Sequence, residues 1–80
     1  MKAKIKVTLK KGVLDPQGKA IEGALSHLGF GGVEHVRQGK YFELEVTSGS
    51  AEQARALASE VADKLLANPV IESYRIEVDQ

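Results

Sequence analysis

Apolar and polar residues alternate early in the chain: Ala3, Ile5, Val7 and Leu9 interleave with Lys4, Lys6 and Thr8, the period of a half-buried strand. The alternation stops at Gly12-Val13-Leu14-Asp15-Pro16-Gln17-Gly18, and a helical period follows, with Ala20, Ile21, Ala24, Leu25 and Leu28 on one face. Asp15 is placed to cap that helix, and Pro16 sits at its first position, where a missing N–H costs nothing. Gly29, just past Leu28, is a left-handed stop. Residues 33–38 are a weaker strand, with Val33 and Val36 out of strict alternation, which a bulge or an edge position explains. Gly39-Lys40 then makes a tight connection to residues 41–47, where Phe42, Leu44 and Val46 face one side, so the two segments read as an antiparallel hairpin. Ser50 and Gln53 stand in a capping-box relation ahead of an apolar stripe formed by Ala54, Leu57, Ala58, Val61, Ala62, Leu65 and Leu66. Asn68-Pro69 ends this second helix, and Tyr74, Ile76 and Val78 alternate through a last strand over residues 70–78.

The order strand, helix, strand, strand, helix, strand points to one α+β domain over residues 1–80. Its simplest form is ferredoxin-like βαββαβ, a four-stranded antiparallel sheet with two helices on one face and the first and last strands at or beside the centre. The other sheet face then carries Lys4, Lys6, Thr8, Tyr41, Glu43, Glu45, Arg75 and Glu77. Opposite charges across strands contribute about 0.2 to 1 kcal/mol each, so this face is either solvated or a polar oligomer interface.

Composition narrows the function classes. Eighty residues bury only about 60 to 65% of their unfolded surface, which makes oligomerisation an expectation. There is no cysteine, so disulfides and thiolate metal sites are excluded. Eleven basic side chains balance eleven acidic ones, leaving no excess charge to hold nucleic acid or an anionic membrane surface. The apolar runs are short and Met1-Lys2-Ala3-Lys4 lacks the core of a signal peptide, so the expectation is a cytoplasmic chain with no membrane partner.

Catalytic parts are sparse. His27 and His35 fall in different elements with no spaced carboxylates to complete a metal set. Ser26, Ser48, Ser50, Ser59 and Ser73 occupy helix, turn or cap contexts, and none sits on a strand-to-helix elbow. Glu43 and Glu45 share a strand face with nothing to separate their pKa values. Gly29-Phe30-Gly31-Gly32 follows a helix instead of opening one, which disfavours phosphate binding. The first loop carries Asp15 where an oxyanion-binding loop would carry arginine. Asp15 and Lys40 become a charge pair if the fold brings their turns together. A ligand-binding regulatory domain stays open as an alternative, because such modules bind effectors at interfaces through backbone and small residues.

Three segments together resemble a known family: Val7-Thr8-Leu9-Lys10 with Gly12-Val13-Leu14-Asp15-Pro16-Gln17-Gly18; Val36-Arg37 with Gly39-Lys40; and Leu65-Leu66-Ala67-Asn68-Pro69-Val70-Ile71-Glu72. They are similar to the PurS family, the small subunit of the multi-chain phosphoribosylformylglycinamidine (FGAM) synthase. The resemblance implies a non-catalytic assembly subunit of a purine-pathway ligase. By it, the large synthetase subunit binds ATP and Mg, a glutaminase subunit releases ammonia, and the small chain bridges the two as a homodimer or homotetramer with no cofactor of its own. The overall reaction replaces a formyl amide oxygen by an amidine nitrogen at the expense of ATP, and excluding solvent between the sites keeps the ammonia unprotonated. The residues so implied in partner contact are Gly12, Asp15, Pro16, Gln17 and Gly18, with Arg37, Gly39 and Lys40, and Asn68, Pro69 and Glu72.

Overall fold

The alternation of Ala3, Ile5 and Val7 becomes the middle of the sheet. In a computed structural model that describes residues 1–47 and 49–79, strand β1 (Lys2–Leu9) pairs antiparallel with β2 (Gly39–Glu45) on one side and β3 (Glu72–Asp79) on the other. Ala3, Ile5 and Val7 are fully buried, and Ile5 and Val7 are the largest side chains to be so. Helix α2 (Ala51–Val61), whose last turn widens into a π-helical segment at Ala62–Leu66, lies across β1 and β3. It approaches closely because Ala54, Ala58 and Ala62, one turn apart, present only methyl groups to the strands and are wholly buried. Ser50 caps it, its hydroxyl accepting from Gln53 N at 3.2 Å. Tyr74 on β3 pins it from the sheet side through its hydroxyl, 3.0 Å from Ser59 Oγ and 2.9 Å from Asp63 Oδ1.

Two expectations need correction. The sheet has three strands, in the order β2-β1-β3, and not four. Residues 33–38 form no strand and no hairpin. His35 takes φ +56°, outside extended geometry, and the backbone amides of Val36 and Gln38 donate to the carboxylates of Glu22 and Asp15. Amides bound to side chains are lost to a ladder, and β2 keeps an open outer edge. Only one of the two helices, α2, shares in the core. Helix α1 (Pro16–His27) is built as the sequence implies: Asp15 caps its start, Pro16 opens it, and Gly29 (φ +95°) closes it, with Gly29 N and Phe30 N donating to Ser26 O and Leu25 O. Yet Gly18 is its one buried residue, and nothing of α1 joins the core. In α2, Leu57 and Leu65 are exposed although they continue the apolar stripe.

The polar sheet face is laced by diagonal ion pairs, Lys4 to Asp79 at 2.7 Å, Lys6 to Glu77 at 3.4 Å and Lys2 to Glu43 at 3.5 Å. No helix among the described residues is long and apolar enough to cross a membrane.

Candidate functional site

The C-terminal end of β1 and the N-terminal ends of β2 and β3 meet at one end of the antiparallel sheet, and every loop that carries a candidate residue arrives there. The first loop turns through Gly12, whose φ of +86° requires glycine, and Val13 N donates to Lys10 O at 3.1 Å. Arg37 braces this loop: its guanidinium donates to Leu9 O at 3.1 Å and to Lys10 O and Val13 O at 3.3 Å. One planar fork thus fixes three backbone carbonyls.

Asp15 is buried and joins two segments. One carboxylate oxygen accepts from Gly18 N at 2.9 Å in the helix cap, and the other from Gln38 N at 2.8 Å. The Gly18 amide first, then the Gln38 amide, hold its carboxyl below the ordinary aspartate range, with the charge of Arg37 adding to them and burial opposing. Gly18 is glycine for a steric reason, since a Cβ there would strike Val36 O and the Asp15 carboxylate. Gln17 and Gln38 meet side chain to side chain beside the cap, and Pro16 lies exposed next to them. Gly39 begins β2 opposite Thr8, where a Cβ would collide with Val7 O.

The third segment is equally knit. Asn68 Oδ1 accepts from Val70 N at 3.0 Å, turning the chain around Pro69, while Asn68 O accepts from Glu72 N at 2.7 Å. Glu72 returns the contact by accepting from Asn68 N at 2.7 Å. Lys40 links this turn to β2, donating to Leu66 O at 3.1 Å with its ammonium 3.6 Å from Glu72. Asp15 and Lys40 therefore do not pair: the first is satisfied by amides and the second by Glu72 and a helix carbonyl. Both still line one open groove of about 510 Å³ with Pro16, Gln17 and Gly39.

All eleven candidates thus gather at one end of the sheet. Lys10 and Gln38 belong with them and were not singled out from the sequence. Lys10 Nζ donates to Pro69 O at 2.7 Å and Lys10 N to Ile71 O at 2.8 Å, tying the first loop to the third. The signal for Lys10 was its place in the same motif as Leu9; Gln38 acts through its backbone amide, which no residue type announces. The arrangement is a surface knit by hydrogen bonds within the chain. Among the described residues no three His, Cys, Asp or Glu groups converge as metal ligands. Ser26 and Ser50 fall in a helix and a cap, and Ser48 lies outside the described residues.

The family model of PurS, phosphoribosylformylglycinamidine (FGAM) synthase, matches residues 2–80. The chain belongs to the PurS family. It is 47% identical to the FGAM synthase subunit PurS of Bacillus subtilis, over 99% of this chain and 93% of that one, and the solved Bacillus subtilis PurS superposes with a TM-score of 0.85. The Methanocaldococcus jannaschii PurS is 40% identical, over 99% of this chain and 95% of its own, and its structure gives 0.88. A chain in the structure of PurLQS from Thermotoga maritima matches at TM-score 0.87 and 34% identity, covering 95% of this chain and 93% of its own. As a PurS chain the protein is a subunit of FGAM synthase, a ligase of purine biosynthesis, and the alternative of a stand-alone regulatory domain is not favoured.

Proposed function

We propose that this chain is the non-catalytic assembly subunit that bridges the synthetase and glutaminase subunits of FGAM synthase, with the cluster at the end of the sheet as its contact surface. The observation that carries this reading is the convergence of residues 12–18, 37–40 and 68–72, three segments far apart in sequence, on one groove and its rim. The polar groups of that surface are satisfied within the chain, so it meets a partner already shaped and loses little conformational entropy on docking. The likeness to a chain of Thermotoga maritima PurLQS supports such partners. ATP and Mg then belong to the synthetase, ammonia passes between the two larger subunits shielded from water, and the complex works in the cytoplasm.

The chain acts in this reading as a homodimer or homotetramer. Its accessible surface of 5731 Å² exceeds the roughly 4,700 Å² of a compact monomer of this mass, and the excess of about 1,000 Å² is what one side of a stable protein interface covers. Mixing purified synthetase, glutaminase and this chain tests the function. Glutamine-dependent FGAM synthesis is expected only with all three, and full activity from the two larger chains alone would remove the assignment. Lys40→Glu is expected to weaken co-purification with the synthetase while leaving the circular dichroism spectrum unchanged. Because Glu72 sits beside Lys40, the neutral Lys40→Met controls for local repulsion; unaltered complex formation by both takes Lys40 off the surface.

A further inference from the structure

The chain is neutral as a whole, but its basic groups gather at one end of the polar sheet face. There Lys6 of β1 stands directly opposite Arg75 of β3, and in the next row Thr8 stands opposite Ser73, all four exposed. Like charges set across a strand pair repel, and only one of these two is relieved. Glu77 reaches Lys6 at 3.4 Å, whereas Arg75 has no carboxylate within ion-pair distance among the described residues. The hydroxyls of Thr8 and Ser73 likewise have no hydrogen-bond partner among the described residues. These four side chains floor a groove of about 270 Å³. Past Thr8 and Ser73 it opens into a second hollow of about 560 Å³, rimmed by Lys11, His35 and Arg37. The two hollows share Thr8 and Ser73 and form one trough. Lys6, Arg75, Lys11 and Arg37 line it, and no Asp or Glu does. Asp15, in the same first loop as Lys11, spends its charge on the amides of Gly18 and Gln38 and lines neither hollow.

From this arrangement we infer that the trough is a binding site for a short phosphate chain, whether free polyphosphate or the phosphates of a nucleotide. Ammonium, guanidinium and hydroxyl groups all donate, so the floor suits a ligand made of anionic acceptors and offers a metal cation no anionic ligand. Arg75 supplies an uncommitted planar fork, and the two hydroxyls extend its reach along the strands. The fork of Arg37 is already held by Leu9 O, Lys10 O and Val13 O, so that residue contributes its charge alone. Successive side chains on one face of a strand lie about 7 Å apart. A single phosphate therefore reaches one row, and a chain of phosphates is needed to span from Arg75 past Ser73 to Lys11. The half-exposed pair of Lys6 with Glu77 is weak and yields Lys6 to an incoming anion at small cost. A nucleic acid is a poor occupant, because Glu43, Glu45, Glu77 and Asp79 on the rest of the face repel a continuing phosphate backbone.

Isothermal titration calorimetry of the full chain with inorganic tripolyphosphate, in 150 mM NaCl and without divalent cations, tests this. Saturable binding is expected, at least about tenfold tighter than that of orthophosphate, which meets one row only. Arg75→Gln and Lys11→Gln are each expected to weaken it by about tenfold. Lys4→Gln removes the same charge from the same face of β1 but outside the trough, and is expected to leave the affinity unchanged. A nucleoside triphosphate run beside tripolyphosphate separates the two sources: comparable affinity assigns the site to free polyphosphate, tighter nucleotide binding assigns it to a nucleotide, and both support a phosphate-chain site. No saturation, orthophosphate binding as tightly as tripolyphosphate, full affinity in Arg75→Gln, or an equal loss in Lys4→Gln, which would reduce the effect to net charge, would each overturn the proposal. The readout is binding to this chain alone, so it stands or falls independently of the bridging role in FGAM synthase.

Discussion

Asp15 shows how one side chain sets the geometry of a surface. Its two oxygens accept from amides twenty residues apart in sequence, Gly18 N and Gln38 N, so the helix cap and the approach to β2 share a single charged joint. Native-state hydrogen bonds lower its pKa below the ordinary 3.8. A depressed carboxylate stabilises the fold fully above the unfolded value, and that contribution disappears as pH falls from about 3.8 through the native value. Asp15→Asn keeps a capping oxygen but not the charge. Urea midpoints measured at pH 7 and pH 3 are expected to show the variant less stable at pH 7 and less sensitive to the change in pH; an equal pH dependence in both proteins would mean that the joint does not depend on ionisation.

At the scale of elements, the features that depend on near neighbours were legible and those that depend on distant ones were not. The Asp15 and Ser50 caps, the Pro16 start and the Gly29 stop are all where the chain's local chemistry puts them. The strand expected at residues 33–38 failed because its amides are claimed by Glu22 and Asp15, acceptors that lie 14 and 23 residues away. The candidate site was legible as three motifs, through the family resemblance, but their convergence depends on the register of β1 with both neighbours. Two glycines of α1 make the distinction measurable. Gly23 meets nothing within 4 Å, so Gly23→Ala is expected to stabilise the chain by about 0.5 to 1 kcal/mol through helix propensity alone. Gly18→Ala gains the same propensity, but its methyl collides with Val36 O and Asp15, and a net loss of about 1 to 3 kcal/mol in urea unfolding is expected. If both variants are stabilised, α1 does not dock on residues 36–38 in solution.

The whole molecule is long and thin, 49 × 26 × 14 Å, and its Cα radius of gyration of 15.7 Å compares with about 12 Å for a compact chain of this length. The amphipathic pattern of α1 implies a covered face, yet in this chain the face is open, because a pattern does not say which chain covers it. Ile21, Leu28, Phe30 and Val33 are 41%, 71%, 57% and 43% exposed, an apolar strip running from α1 into the following loop. In the proposed homo-oligomer, a second copy covering this strip would account for the excess surface, the uncovered helix and the open edge of β2 together. Burying one leucine contributes about 1.5 to 3 kcal/mol, and a two-fold interface includes it twice. Leu28→Glu is thus expected to weaken self-association by roughly two to four decades in Kd, with Lys19→Glu, an exposed charge on the same helix, leaving it unchanged. Sedimentation velocity at 500 mM NaCl reads this apolar contact, because salt screens exposed charges and leaves the burial of apolar surface in place. If Leu28→Glu keeps the mass of the parent at every concentration, α1 projects into solvent, and the bridging surface belongs to a single extended protomer.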